Sequence, residues 1–226
     1  MEFNSNINTI LGSRDYLEFL RGKEASLLLS LSTTKTLEIK GITQAGVPGL
    51  IHLTPTLDSE FVCSGEVRSL ENLAETPKGV PTPALITRAV HVLKPFKNIE
   101  LLDLGMSQKP KLEFFKIHEF GLKPSEAIHK GAQINAMEVF QKGVEFGKSY
   151  ECKDDYIILG ESVPAGTTTA YATTLAIGYN CDGKFSSSFK DVPNSIKNQT
   201  IQEALDNIKD GDDLFEKIGK VADNML

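Results

Sequence analysis

The sequence lacks several features that identify common classes of protein. Its three cysteines, Cys63, Cys152 and Cys181, are odd in number and form no C-x-x-C pair, which argues against a disulfide framework or a cysteine zinc site. Its four histidines show no H-E-x-x-H spacing. We therefore expect no metal site and no resident cofactor, and free cysteines fit a reducing cytoplasm.

Positive charge and long apolar runs are also scarce. The 30 acidic side chains exceed the 24 Lys and Arg side chains, so the net charge is -6, and a nucleic-acid partner is not expected. The apolar stretch at residues 25–31 is too short to span a bilayer, and the leading MEFNSNINT has no basic region. Neither a membrane partner nor secretion is expected.

What the sequence does contain is an alternation of short apolar runs and longer helical patterns, typical of a parallel sheet covered by helices. With 226 residues, the length favours one α/β domain, three-layered and Rossmann-like, with a mostly parallel sheet. Four runs are apolar enough for strands buried on both faces: residues 26–31, 49–54, 98–105 and 155–160. Five segments predict helices: residues 13–21, 83–93, 125–147, 167–177 and 193–208. A further amphipathic helix carries Leu214, Ile218 and Val221 on one face.

The segment GESVPAGTTTA, residues 160–170, carries the strongest functional signal. It follows a predicted strand and opens a predicted helix, and such a junction presents free N–H groups and the positive end of the helix dipole to an anion. Gly166 lets a phosphate approach the backbone, and Thr167, Thr168 and Thr169 supply hydroxyl groups. The alternative is that one threonine only caps the helix.

The same segment differs from the familiar nucleotide loops. Five residues rather than four separate Gly160 from Gly166, and a threonine stands where a Walker A loop has lysine. The dinucleotide spacing G-x-G-x-x-G is also absent. A metal-dependent phosphotransferase remains an alternative, for which Asp103, at the end of a predicted strand, is the one attractive metal ligand.

Glu161 is unexpected beside a phosphate, because its carboxylate would repel that ligand. It could accept hydrogen bonds from ribose hydroxyls, act as a general base on an attacking nitrogen, or simply face solvent.

The stretch KFSSSFK, with Ser186 and Ser187, could hold further ligand oxygens or be a solvated loop. Lys197 lies on the next predicted helix, where most lysines are surface residues.

GESVPAGTTTA, together with TPKGVPTPALITRA upstream and GKFSSSF downstream, resembles the archaeal branch of the nicotinate-nucleotide:dimethylbenzimidazole phosphoribosyltransferase family. The bacterial counterpart has the form GEMGIGNTTAAAA, which Gly160, Glu161, Gly166, Thr167 and Thr168 match. A phosphate-binding lysine of those enzymes aligns with Lys197.

The resemblance implies an α/β fold, a homodimer and a glycosyltransferase activity in cobalamin synthesis. Such enzymes transfer the phosphoribosyl group of nicotinate mononucleotide to a benzimidazole-type base, with inversion at the anomeric carbon. Glu161 would then contact the ribose or serve as base, and residues 166–169 would bind phosphate.

The family's catalytic glutamate lies in a glycine-rich segment near the C-terminus, and no residue of this sequence matches it. We therefore expect the chain to correspond to the N-terminal portion of a longer phosphoribosyltransferase-like protein. A non-catalytic mononucleotide-binding module, or an inactive truncated homologue, remains the alternative.

Overall fold

The computed structural model describes residues 12–13, 15–70, 82–185, 189 and 193–225. Helices are interspersed with strands along the chain, although the alternation is not strict. In order they are α1 (Asp15–Phe19), β1 (Ala25–Leu31), α2 (Thr54–Ser64), α3 (Pro83–Leu93), β2 (Asn98–Asp103), β3 (Lys116–Glu119), α4 (Ala136–Ser149), β4 (Tyr156–Ser162), α5 (Gly166–Ala176), α6 (Asn194–Leu205) and α7 (Leu214–Val221). Three 3-10 turns lie at Lys35–Glu38, Ile51–Leu53 and Ile128–Lys130.

The strands of this described part form one sheet in the order β3-β2-β1-β4. Each neighbouring pair is parallel: β1 with β2, β1 with β4, and β2 with β3. Strand β1, ASLLLSL, lies at the centre and all of its residues are buried. The α/β class with a parallel sheet is confirmed.

Helices cover both faces of the sheet. Leu27 and Leu29 of β1 face α2 and α3 and form a core with residues of those helices and of β2, including Val62, Ala84 and Leu101. On the opposite face, His118 of β3 meets the ring of Phe146 on α4 edge-on, with ring centroids 4.8 Å apart. A second apolar cluster joins α5, α6 and α7 to the Ile128–Lys130 turn. The three-layer arrangement is therefore confirmed.

Strand β4 does not match the expectation of burial on both faces. It lies at the edge of the sheet, with β1 as its only strand neighbour in the described sheet. Its apolar side chains are consequently accessible, with Ile157 41% and Leu159 70% exposed. An apolar run alone does not distinguish a central strand from an edge strand.

The strand predicted at residues 49–54 is wrong. The chain turns at Gly49, where φ is +81°, passes through the Ile51–Leu53 turn and enters α2 at Thr54. Pro55 in the first turn of α2 suits a helix start because its φ is already helical. Leu53, Leu57 and Phe61 repeat every four residues, a helical period that the short apolar run conceals.

The helix predicted at residues 125–147 begins too early. Ser125 instead pairs with Thr34 in an isolated parallel bridge, and α4 begins at Ala136, where the Asn135 side chain accepts a hydrogen bond from the N–H of Glu138. Ile128 contributes to the second apolar cluster from a 3-10 turn rather than a helix. Strand β3, which is only four residues long, was not predicted.

In the described part of the chain, no helix combines the length and apolar character needed to cross a membrane.

Glu60 is a buried residue of α2, the helix that also contacts the carboxyl end of β4. Its side chain accepts hydrogen bonds from two loops. Oε2 of Glu60 accepts the N–H groups of Arg68 and Ser69 at 2.7 and 2.8 Å, and Oε1 accepts the Ser69 hydroxyl and the N–H of Lys111 at 2.6 and 2.8 Å. Burial acts to raise the pKa of Glu60, but these hydrogen bonds prevail and hold its pKa below the ordinary value. The ionised form is therefore the one that stabilises the fold.

We predict that Glu60→Gln lowers the free energy of unfolding by about 2–4 kcal/mol at neutral pH, because an amide nitrogen cannot accept two of these hydrogen bonds. Since the folded pKa is depressed, this loss should be complete above the unfolded pKa and should shrink as pH falls through the folded pKa. Urea denaturation across pH measures it.

The matched control is Glu145→Gln on the exposed side of α4, which should change the free energy of unfolding by less than about 0.5 kcal/mol. Equal effects of the two substitutions would contradict the role of Glu60.

Candidate functional site

The candidate site lies where the chain changes direction within the sheet. From β1 the chain proceeds to β2 and β3 on one side, and then returns to place β4 on the other side of β1. In open parallel sheets, the carboxyl ends of two such strands border a crevice that commonly holds ligands. Ser30 pairs with Glu161 and Leu31 with Ser162 at this end.

The strand, turn and helix that carry the predicted phosphate loop are present, with a shorter turn than expected. Strand β4 continues to Ser162, so Gly160 and Glu161 belong to the strand and only residues 163–165 form the turn. Ala165 adopts a left-handed conformation with φ 65°, which is strained for a residue with a Cβ atom. A Cβ atom at Gly166 would lie 2.6 Å from Cγ1 of Val163, so the tight turn itself requires glycine there.

Gly160 and Glu161 point to opposite faces of β4. A Cβ atom at Gly160 would lie 3.5 Å from Leu29 and 3.6 Å from Leu27, both on the face that packs against α2 and α3. Glu161 therefore points to the other face, because side chains alternate along a strand. Gly160 therefore faces the core formed with α2 and α3, whereas the Glu161 side chain lies on the opposite face of β4.

The N-terminus of α5 is open. Its N-cap residue, Ala165, offers no side-chain hydrogen bond, and the first turn contains no acidic residue. The N–H groups of Gly166, Thr168 and Thr169 bond to carbonyl groups of Val163 and Ala165. Among the described residues, no acceptor is found for the N–H of Thr167. The alternative that a threonine caps this helix is wrong.

The three threonines have different surroundings. Thr167 is exposed, whereas Thr168 and Thr169 are 0% and 2% exposed. The buried Thr168 hydroxyl has no hydrogen-bond partner within the described part of the chain. Thr169 Oγ1 lies 2.9 Å from the carbonyl O of Gly166 and 2.5 Å from Oδ2 of Asp223. Thr167 is therefore the accessible residue of the three, whereas the unpaired Thr168 hydroxyl is enclosed by the protein and the Thr169 hydroxyl is engaged by Asp223.

Lys197 reaches this helix end from α6. Its Nζ donates to Oγ1 of Thr167 at 3.0 Å, and burial lowers the pKa of the ammonium group from its ordinary value. Over the ranges that the structure describes, Lys197 pairs with no carboxylate. A half-buried cation beside an open helix N-terminus is an arrangement that favours an anion.

The charges of two other carboxyl groups act on Glu161. Burial raises the pKa of Glu161 above its ordinary value, and the charges of Asp223 and Asp58 raise it further. Glu161 nevertheless keeps an accessible surface, so its carboxyl group is available to a ligand. A carboxylate with a raised pKa is better matched to accept a proton near neutral pH.

Asp58 and Asp223 were not identified from the sequence. Asp58 of α2 accepts hydrogen bonds from the hydroxyl groups of Ser162 and Thr82, at 2.7 and 2.9 Å. Asp223 follows α7 and is 5% exposed, and its Oδ1 accepts the N–H of Met225 at 2.8 Å. Burial raises the pKa of both groups. No local pattern marks Asp223, which meets Thr169 across 54 residues of sequence.

Small polar residues close the crevice beside β1. Ser32, Thr33 and Thr34 directly follow β1 and are all buried. The Ser32 hydroxyl donates to the carbonyl O of Leu104, and Thr34 accepts the N–H of Thr36 to cap the Lys35–Glu38 turn. These residues were not singled out from the sequence, although a polar run directly after a buried strand is a signal that could have identified them.

Two remaining predictions concern residues outside this arrangement. Ser186 and Ser187 lie outside the described residues. Asp103 accepts the N–H groups of Gly105 and Met106 at 3.0 and 2.9 Å, so it holds the turn after β2. Within the described ranges, no group of three or more His, Cys, Asp or Glu side chains is placed to hold a metal ion.

Sequence comparison finds longer relatives, although no family model matches the chain. A UPF0284 protein of Saccharolobus islandicus (strain L.S.2.15 / Lassen #1) is 35% identical over an alignment of 214 residues, which covers 92% of this chain and 59% of that protein. A UPF0284 protein of Sulfurisphaera tokodaii is 35% identical over 202 residues, 88% of this chain and 57% of that protein. The chain thus spans less than two thirds of the length of these relatives.

Structure comparison finds a shared fold at low sequence identity. The nicotinate-nucleotide-dimethylbenzimidazole phosphoribosyltransferase of Thermus thermophilus superposes with a TM-score of 0.59 and 13% identity, over 89% of this chain and 54% of that one. A structure of CobT from the same organism gives 0.60 and 13%, over 89% and 55%. The chain therefore resembles the archaeal UPF0284 proteins in sequence and has the α/β fold of the nicotinate-nucleotide:dimethylbenzimidazole phosphoribosyltransferases.

Proposed function

We propose that the chain binds nicotinate mononucleotide as part of a phosphoribosyltransferase of cobalamin synthesis, which transfers the phosphoribosyl group to a benzimidazole-type base. The observation that carries this proposal is the contact of Lys197 Nζ with Thr167 Oγ1 at the open N-terminus of α5. It joins two residues that the family resemblance assigns to phosphate binding and that lie on different helices.

The phosphate end of the ligand is supported by charge and by donors. The Thr167 N–H and the α5 dipole point out of the helix end, the exposed Thr167 side chain lies in the same turn, and Lys197 supplies a positive charge. Together they can hold several phosphate oxygens by charge-assisted hydrogen bonds. A phosphate fixed in this way prevents the attached ribose from drifting during the reaction.

We assign the ribose end of the ligand to Glu161. The turn of residues 163–165 separates Glu161 from α5, so a nucleotide whose phosphate lies at Thr167 would extend toward the Glu161 carboxyl group. Its raised pKa suits the removal of a proton from the attacking ring nitrogen as the bond from ribose to nicotinate breaks. Holding ribose hydroxyls is the alternative task for the same carboxylate.

A second candidate function is a mononucleotide-binding module without transfer activity. The observation that favours it is that no residue here matches the C-terminal glutamate to which the family's catalysis is assigned. The chain covers 59% of the length of one relative and 54% of a structural neighbour. Under this candidate, the anion site and Glu161 would bind the ligand, and the base would be absent or supplied by additional chain.

We predict that Lys197→Ala weakens the binding of nicotinate mononucleotide roughly ten- to a hundredfold, the loss of a charge-assisted contact of about 1.5–3 kcal/mol. Nicotinate riboside, which lacks the phosphate, should bind the wild type and the variant equally. Isothermal titration of both ligands to both proteins forms a double-mutant cycle that isolates the contact between Lys197 and the phosphate.

Lys148→Ala, which removes an exposed lysine of α4, is the matched control and should leave both affinities unchanged. The phosphate assignment is wrong if nicotinate riboside loses as much affinity as the mononucleotide, or if neither ligand responds to Lys197→Ala.

We predict that Glu161→Gln separates the two tasks of this carboxylate. If Glu161 is a general base, turnover of a version that includes the C-terminal part should fall roughly 10²–10⁴-fold while mononucleotide affinity hardly changes. If it holds ribose hydroxyls, affinity should fall by about 1.5–3 kcal/mol instead. Titration of the ligand and assay of nicotinate release measure the two quantities, and no change in either would remove Glu161 from the site.

A further inference from the structure

Negative charge is crowded around the proposed anion site. Asp58 comes from α2, Glu161 from β4 and Asp223 from the segment after α7, and the charges of the two aspartates act on Glu161. Lys197 faces the site from α6 with one positive charge, on the side of Thr167. A dianionic phosphate would be repelled if all three carboxyl groups were ionised, so the site needs a means of reducing its own charge when an anion arrives.

The contacts of Thr169 show where a proton would reside. Thr169 Oγ1 lies 2.9 Å from the carbonyl O of Gly166 and 2.5 Å from Oδ2 of Asp223. A threonine hydroxyl has one proton, so it cannot make a full hydrogen bond to both oxygens. If Asp223 is ionised, the two acceptor oxygens must share that single proton. If Asp223 is protonated, its O–H donates to Thr169 Oγ1, and the Thr169 hydroxyl donates to Gly166.

The position of Asp223 favours the protonated form. The carboxyl group is 5% exposed and accepts only one backbone N–H, that of Met225, in the described part of the chain. Burial in this position raises the pKa of Asp223. The adjoining Asn224 anchors the segment, because its Nδ2 donates to the carbonyl O atoms of Leu104 and Lys123 at 2.9 and 2.8 Å. Asp223 is therefore held against α5 by the fold itself.

We propose that Asp223 is a positioning residue of the anion site, which takes up one proton from solvent when an anion binds and passes its hydrogen bond through Thr169 to the first turn of α5. The proposal rests on the proposed function, because it assumes that the anion lies at that helix end. One carboxylate and one proton become one neutral carboxylic acid, so the local negative charge falls by one as the anion enters. Thr169 and Gly166 are then hydrogen-bonded in a single chain that fixes the turn.

The test uses inorganic sulfate, which remains a dianion over the pH range in which carboxyl groups with raised pKa values titrate. Sulfate should bind the form with protonated Asp223, so its affinity should be greatest below the pKa of Asp223 in the free protein. Above that pKa, the affinity should fall by about tenfold for each pH unit. In Asp223→Asn the side chain is neutral at every pH, so the tenfold fall for each pH unit should disappear and the affinity at high pH should be at least as high as that of the wild type.

Asp58→Asn is the matched control. Asp58 bonds to Ser162 and Thr82 rather than to α5, so this variant should keep the pH dependence of the wild type. A second measurement uses the wild type alone, so it does not depend on whether a variant folds. The carboxyl ¹³C resonances, followed by NMR, should show that the pKa of Asp223 rises when sulfate is added.

The other outcomes separate this proposal from the function on which it rests. A sulfate affinity that does not vary with pH in the wild type would overturn the role of Asp223 and leave the anion site intact. The same holds if the pH dependence survives in Asp223→Asn and disappears in Glu161→Gln, since the proton would then reside on Glu161. If neither sulfate nor nicotinate mononucleotide binds at any pH, the anion site itself is wrong.

Discussion

The parallel pairing of β1 with β4 places Ser30 opposite Glu161 and Leu31 opposite Ser162, and the position of every other part of the site depends on it. Because the two strands end together while the chain leaves them toward different elements, a crevice opens between their loops. The short turn after Ser162 then directs α5 so that its N-terminus lies beside that crevice. Asp58 of α2 accepts a hydrogen bond from Ser162 at this end of β4, and the segment after α7 brings Asp223 to Thr169 across 54 residues of sequence.

Opposite charges are separated within this crevice. The helix end and Lys197 make the α5 side positive, while Glu161 and Asp58 lie on the side of β4 and α2, and Asp223 contacts Thr169 of α5. This division suits a ligand with a phosphate at one end and a sugar bearing hydroxyl groups at the other, since the first needs donors and the second needs acceptors. It also explains how a glutamate could stand beside the proposed phosphate site: the carboxyl groups whose pKa values are raised by burial need not all be ionised at once.

Local sequence patterns predicted the parts of the fold that depend on local chemistry. The buried strand β1, the helix starting at Pro83 and the junction around Gly166 follow from apolar runs, proline and glycine, and are confirmed. Residues 49–54 were misjudged because so short a run cannot separate a helical period from a strand. The edge position of β4 could not be predicted, since it depends on the order of strands. Asp223 could not be found either, because a contact across 54 residues leaves no local pattern.

A crystal structure of the protein with nicotinate mononucleotide tests the central claim most directly, because it shows both ends of the ligand at once. The account predicts phosphate oxygens within about 2.7–3.2 Å of the Thr167 N–H nitrogen and of Lys197 Nζ. It also predicts that the ribose lies on the Glu161 side of the turn. A mononucleotide bound elsewhere, or bound with its phosphate away from α5 while Lys197 still contacts Thr167, would contradict it.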